Sequence, residues 1–190
     1  MNLIEFIEQV LITEIRMIQQ DYATKHTYLS FGLLSQGIEL LGSLTDEFDI
    51  GDRGHGKKRF NRALEEFFNA SYKRFADNLD PFNLYSNLRC GMLHIVIPKI
   101  KIALGERKND LGRHKHLDIV KDKGGNNRLF LMAEDFYEDF RCACKKVIDM
   151  VKDGSIYKKY PDLQQASQTK KDIIDLKRDF LNTNLILASS

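Results

Sequence analysis

Arg89 and His94 lie five residues apart in NLYSNLRCGMLHIVIP, residues 83–98, a run whose other positions are largely apolar. A planar guanidinium that keeps its charge can stabilise negative charge building on a phosphoryl group through two directed hydrogen bonds. An imidazole with an ordinary pKa of about 6.5 can take or give a proton near neutral pH. Together they suit RNA cleavage in which the 2′-hydroxyl attacks the neighbouring phosphorus and the 5′-oxygen leaves, with no metal needed. On an ideal helix five steps subtend about 500°, so the two side chains stand about 140° apart and one chain does not easily aim both at one atom. Gly91, between them, carries no side chain and would let the same helix of a second copy approach, bringing two arginines and two histidines together across a two-fold axis. The structural alternative is that Arg89 caps an acid such as Glu39 and that His94 is a satisfied residue at a helix end.

Other groupings carry weaker chemistry. GDRGHGKK, residues 51–58, approaches the phosphate-loop pattern G-x-x-x-x-G-K-[ST] but has Lys58 where a hydroxyl should hold magnesium, and the preceding TDEFDI is short and acidic for a buried strand. It reads instead as a basic loop in which Arg53, Lys57, Lys58 and Arg59 grip a nucleic-acid backbone through its phosphates. His114, His116 and Asp118 would share a face if HKHLD were extended, yet no further ligand is near, so a solvated loop is preferred and neither metal nor cofactor is expected. Cys142 and Cys144 sit two apart on a helical stretch and point in different directions, as packing residues.

The elements that must position these residues follow from the spacing of apolar positions. Residues 2–20 place Ile4, Ile7, Leu11, Ile15 and Ile18 three and four apart, an amphipathic helix. Residues 27–44, apolar on most sides, form a central helix whose Gly32, Ser35 and Gly37 admit a close neighbour and whose only charge is Glu39, which needs a partner or a cleft. A third helix carries Phe60, Leu64, Phe67 and Phe68 and ends near Phe75; a fourth runs over residues 81–95 between Pro81 and Pro98. From Lys99 the period becomes two, so the KIKIAL strand and a hairpin of residues 117–122 and 128–132 around KGGNN form a peripheral β insertion over residues 99–132. Helical spacing returns over residues 133–151, and a last amphipathic helix spans residues 163–181 with Ile173, Leu176 and Phe180. The fold class is therefore mainly α: one domain over residues 1–190, a bundle of about six helices with a small β-hairpin insertion.

Composition agrees. A chain of 190 residues with 43% apolar and 29% charged residues suits one folded domain, not a disordered or low-complexity one. No run reaches the roughly 20 apolar residues of a membrane span, and the apolar start carries Glu5, Glu8 and Glu14, unlike a signal peptide. Three cysteines form no disulfide or zinc framework, which points to a reducing cytoplasm. The net charge of +2 is uneven: residues 1–50 hold two basic residues against eight acids, a balance of −6, so the remainder carries +8. Phosphate is the natural target of that basic side.

Leu88, Arg89, Gly91, Leu93 and His94, late in a helical bundle, resemble the R-x(4-6)-H motif of HEPN domains. The helix YLSFGLLSQGIELLGSL is similar to that family's early core helix, so the likeness extends over residues 1–151. The resemblance implies a bundle that dimerises through its motif helices and, in catalytic members, a metal-independent endoribonuclease with Arg89 and His94 as catalytic residues. It also implies RNA as substrate and, in the toxin and defence systems where the family is often found, an antitoxin or other protein partner. The family often has Asn, Asp or His after the arginine, where this chain has Cys90. That departure favours the alternative, a non-catalytic HEPN-like module binding RNA or nucleotide, or serving assembly.

Overall fold

The computed structural model describes residues 3–20 and 26–165, so the helix expected over residues 163–181 lies almost wholly outside the described residues. Leu3–Phe6, Ile7–Glu14 and Ile15–Gln20 run on as one helix, α1, with π-helical hydrogen bonding in the middle segment. The i→i+5 ladder widens the turn. Leu3, Ile7, Leu11 and Ile15 are all buried and each is four residues from the next, whereas Ile4 and Ile18 are only half-buried. On a uniform 3.6-residue helix each four-residue step would rotate the stripe by about 40°; the wider turns offset that drift and keep the line against the core.

The central helix α2 is Thr27–Ser43 and α3 is Gly56–Glu66. They pack closely because Gly42 presents bare backbone: a Cβ there would collide with the Arg59 carbonyl, while one at Gly37 would lie 2.5 Å from the Phe140 ring. The third helix is shorter than its apolar stripe suggests. It ends before Phe67 and Phe68, and after a break Lys73–Ala76 forms the short α4. The motif helix, α5, starts at Leu84, not at Pro81, because Asn83 caps it by accepting the Ser86 N–H at 2.9 Å. It comprises a π segment, Tyr85–Arg89, and an α segment, Cys90–Ile95, and ends where Val96 turns left-handed at φ 58°.

Strands β1 (Ile102–Gly105), β2 (Ile119–Lys121) and β3 (Asn127–Met132) form a sheet in the order β1-β3-β2, with β1 parallel and β2 antiparallel to β3. The hairpin is present, but the insertion is not peripheral: Ile102, Leu129 and Leu131 belong to the main hydrophobic cluster. A parallel β1 requires a crossover, and residues 106–118, including the short α6 (Arg107–Asp110), supply it. Helix α7 (Ala133–Lys152) follows β3 directly and buries Phe136, Phe140, Cys144 and Val147 against α2; α8 (Ser155–Lys159) and a 3-10 turn over Pro161–Gln165 close the described chain. The protein is thus mainly helical with a small three-stranded sheet, and no helix among the described residues is long and apolar enough to cross a membrane.

Candidate functional site

Arg89 leaves α5 toward α2, and its Nε donates to Glu39 Oε2 at 2.7 Å. Both side chains are largely covered, with 17% and 24% exposed. The guanidinium carbon also lies 5.3 Å from the centre of the Tyr85 ring, which packs edge-on against Phe60 at 5.7 Å. An aromatic face and a carboxylate together hold the arginine in one orientation. Burial raises the Tyr85 pKa, the Arg89 charge opposes that rise, and the half-buried Cys90 lies within hydrogen-bonding reach of the phenol. In front of the pair is a cleft of about 340 Å³ lined by Gln36, Glu39, Leu40, Arg59, Arg89 and Leu93 among others. The first residue of α3 is also in reach, since a Cβ on Gly56 would lie 2.7 Å from Glu39 Oε1.

His94 is not in that cleft. It is exposed on the last turn of α5, and the segment after it exposes Ile95, Val96, Ile97 and Ile100. Tyr28 on α2 braces this segment by donating its hydroxyl to the Val96 carbonyl at 2.6 Å. The step from Arg89 to His94 is α-helical, so the separation around the helix axis persists, and the described chain does not bring the two side chains together. Gly91 does permit a close approach, but of the chain's own segment: a Cβ there would collide with the Ile97 carbonyl and lie 2.9 Å from Pro98 Cα. The space expected for a second copy is filled from within.

The basic loop divides in two. Arg53 is exposed, and Lys57 and Lys58 are exposed on the first turn of α3. Arg59 is corrected to a structural role, being only 3% exposed. Its Nε donates to Asp46 Oδ2 at 2.7 Å and its Nη2 to Asp46 Oδ1 at 3.1 Å, while further N–H groups reach the carbonyls of Phe48, Asp49 and Ile50. It thereby ties residues 46–50 to α3, and the signal was in the spacing, because Arg59 falls one residue before Phe60 and four before Ala63 on the buried face.

HKHLD is not extended, since Leu117 has φ 66°, and its two histidines go separate ways. His114 pairs with Asp110 at 2.6 Å on the surface. His116 turns inward, where the Met132 N–H donates to its Nδ1 at 3.0 Å. That leaves the hydrogen on Nε2, 2.7 Å from the Tyr72 oxygen, and the Tyr72 hydroxyl in turn donates to Asp139 Oδ2 at 2.9 Å. Burial drives the His116 pKa down to about 4, against a smaller upward pull from Asp135; burial also raises Tyr72 and Asp139. This fully paired chain, in which the His116 ring is uncharged, fastens the crossover to α7. Reading the sequence missed it, because Tyr72 and His116 are 44 residues apart and nothing local marks either. Burial likewise pushes the Cys144 thiol far up, consistent with a packing role, while Cys142 is exposed.

No family model, curated protein or solved structure matches the chain.

Proposed function

We propose that the chain is a HEPN-like protein that pairs with a second copy and cleaves RNA without a metal, Arg89 stabilising charge on the phosphoryl oxygens and His94 transferring the proton. The observation that supports this most is the setting of His94. A titratable ring open to solvent is followed directly by the exposed Ile95, Val96 and Ile97. A contiguous apolar surface of this kind marks an interaction site, and a two-fold copy laid on it would bury that surface beside His94. The composite site then needs the Arg89 cleft of either copy to open toward it. Expectations that accompany the reading are a toxin or defence role, an antitoxin-like partner and a reducing cytoplasm.

The second reading, a non-catalytic HEPN-like module for RNA, nucleotide or assembly, is favoured by the Arg89–Glu39 ion pair, which already occupies the arginine. Cleavage of a mixed RNA pool in EDTA separates the two, with products tested for 2′,3′-cyclic phosphate ends. Arg89→Ala should lower the rate by about 10²–10³, as for loss of a preorganised oxyanion donor. His94→Ala should abolish cleavage while leaving RNA binding nearly intact, because a neutral imidazole adds little to phosphate affinity. Activity that requires added magnesium, or that survives unchanged in both variants, would overturn the nuclease; intact binding without cleavage in the parent would select the module.

A further inference from the structure

The N-terminus of α3 is shared by two depressions. On one side Gly56 abuts Glu39 in the Arg89 cleft. On the other lies a groove of about 600 Å³ whose walls include Lys57, Lys58, Asn61, Arg62 and Asn78. Three cations there face two acids, Glu65 and Asp77. Lys57 and Lys58 are exposed and take part in no salt bridge among the described residues. Arg62 is anchored, its Nη1 donating to the Thr45 carbonyl at 3.0 Å. The helix has 11 residues, and its N-cap residue, His55, makes no side-chain cap; the His55 ring stacks on Phe48 instead, at 3.9 Å. The first N–H groups of α3 thus keep their capacity for an anion.

A second, independent feature points to a ligand with more than an anionic group. Asn61 is 8% exposed, its Nδ2 donates to Asn78 Oδ1 at 2.9 Å, and its Oδ1 meets no donor. Reversing both amides would only exchange which Asn61 atom is left over. A buried amide atom without a partner is uncommon and costly, and it belongs to a residue in the groove wall. Asn78, which it holds, is exposed and has its own NH2 to offer.

We infer that this groove takes one nucleotide of single-stranded RNA, with its phosphate on Lys57, Lys58 and the N-terminus of α3 and its base edge on the paired amides of Asn61 and Asn78. The inference rests on the RNA reading above and gives it a substrate form. A strand whose phosphate reaches Arg89 continues across Gly56 into the groove, where a base must be unpaired to meet an amide below the rim. A duplex keeps its base edges stacked and paired, so it can use only the lysines.

The probe is a fluorescein-labelled 12-nucleotide 2′-O-methyl RNA, which resists cleavage by its own hydroxyl, followed by anisotropy at several salt concentrations beside the same sequence as a duplex. The single strand should bind more tightly than the duplex. The double variant Lys57→Gln/Lys58→Gln, altered only at exposed positions, should flatten the slope of log affinity against log salt by about 0.7, the loss of one single-strand phosphate contact. Asn78→Ala should weaken binding by about two- to fivefold with the slope unchanged, because an amide-to-base bond releases no counterions. An unchanged slope in the lysine variant, or unchanged affinity in Asn78→Ala, would overturn the groove; if His94→Ala still abolishes cleavage, the nuclease reading survives that failure. No binding of either RNA by the parent would overturn both. Groove variants that lose binding in a parent that never cleaves would support the groove and overturn only the nuclease.

Discussion

Acidification should destabilise this protein through His116 before its surface carboxylates titrate. In the folded chain His116 has a pKa of about 4 against an ordinary 6.5. The unfolded chain therefore binds the proton first as pH falls, and stability drops where the unfolded state holds more protons. The contribution is complete above pH 6.5, is reduced by about 2 kcal/mol at pH 5, and approaches a loss of about 3 kcal/mol below pH 4. The geometry gives the same sign: a proton on Nδ1 would point at the Met132 N–H that now donates to it. Asp139 Oδ2, 3.6 Å from Nε2, and the nearby Asp135 favour the cation, but the ring is only 10% exposed and burial outweighs them. His116→Leu removes the titration and leaves the Met132 N–H unpaired, costing about 1–3 kcal/mol at pH 7.5. Urea unfolding followed by circular dichroism at 222 nm from pH 7.5 to 4.5 should show the parent losing stability faster than the variant, so that the gap between them closes near pH 5. Parallel pH profiles for parent and variant would refute the reasoning.

Two further substitutions test the packing that surrounds the candidate site. Arg59→Ala should cost about 3–5 kcal/mol, because it takes the guanidinium away from the Asp46 carboxylate at 7% exposure, whereas Asp46→Leu/Arg59→Met together should cost much less; a loss below 1 kcal/mol for the single change would place the pair on the surface. Gly91→Ala should cost about 1–3 kcal/mol, since its Cβ would meet the Ile97 carbonyl and the segment must shift. For a domain of this size that is about 2–4 °C in Tm per kcal/mol, read by differential scanning calorimetry, with the mass by light scattering unaltered; an unchanged Tm, or a change of mass, would restore Gly91 to an interface between copies.

The parts of the fold legible in the sequence are those governed by one period over many residues. Phe136, Phe140, Cys144 and Val147 lie three or four apart, and all four are among the residues α7 buries. The same rule fails where the backbone departs from the period. A π segment in α1 replaces Ile4 and Ile18 by a line of fourth residues, and a left-handed Leu117 breaks the alternation that would have set His114 beside His116. For the site, residue type set the candidates and geometry divided them. Glu39, the only charge in an apolar helix, needed a partner, and Arg89 meets it at 2.7 Å. Gly91 is a place of close approach, but a missing side chain does not say which backbone comes near; the turn at Val96 returns residues 97–99 onto it. Likewise five basic residues between 51 and 62 look alike in sequence, yet on α3 they fall on different sides, so Arg59 serves the core while Lys57 and Lys58 face the solvent. A phosphate arriving at this end of α3 therefore meets two exposed cations and an uncapped helix start beside residues 46–50, which Arg59 has already fixed, and it need not order that segment on binding.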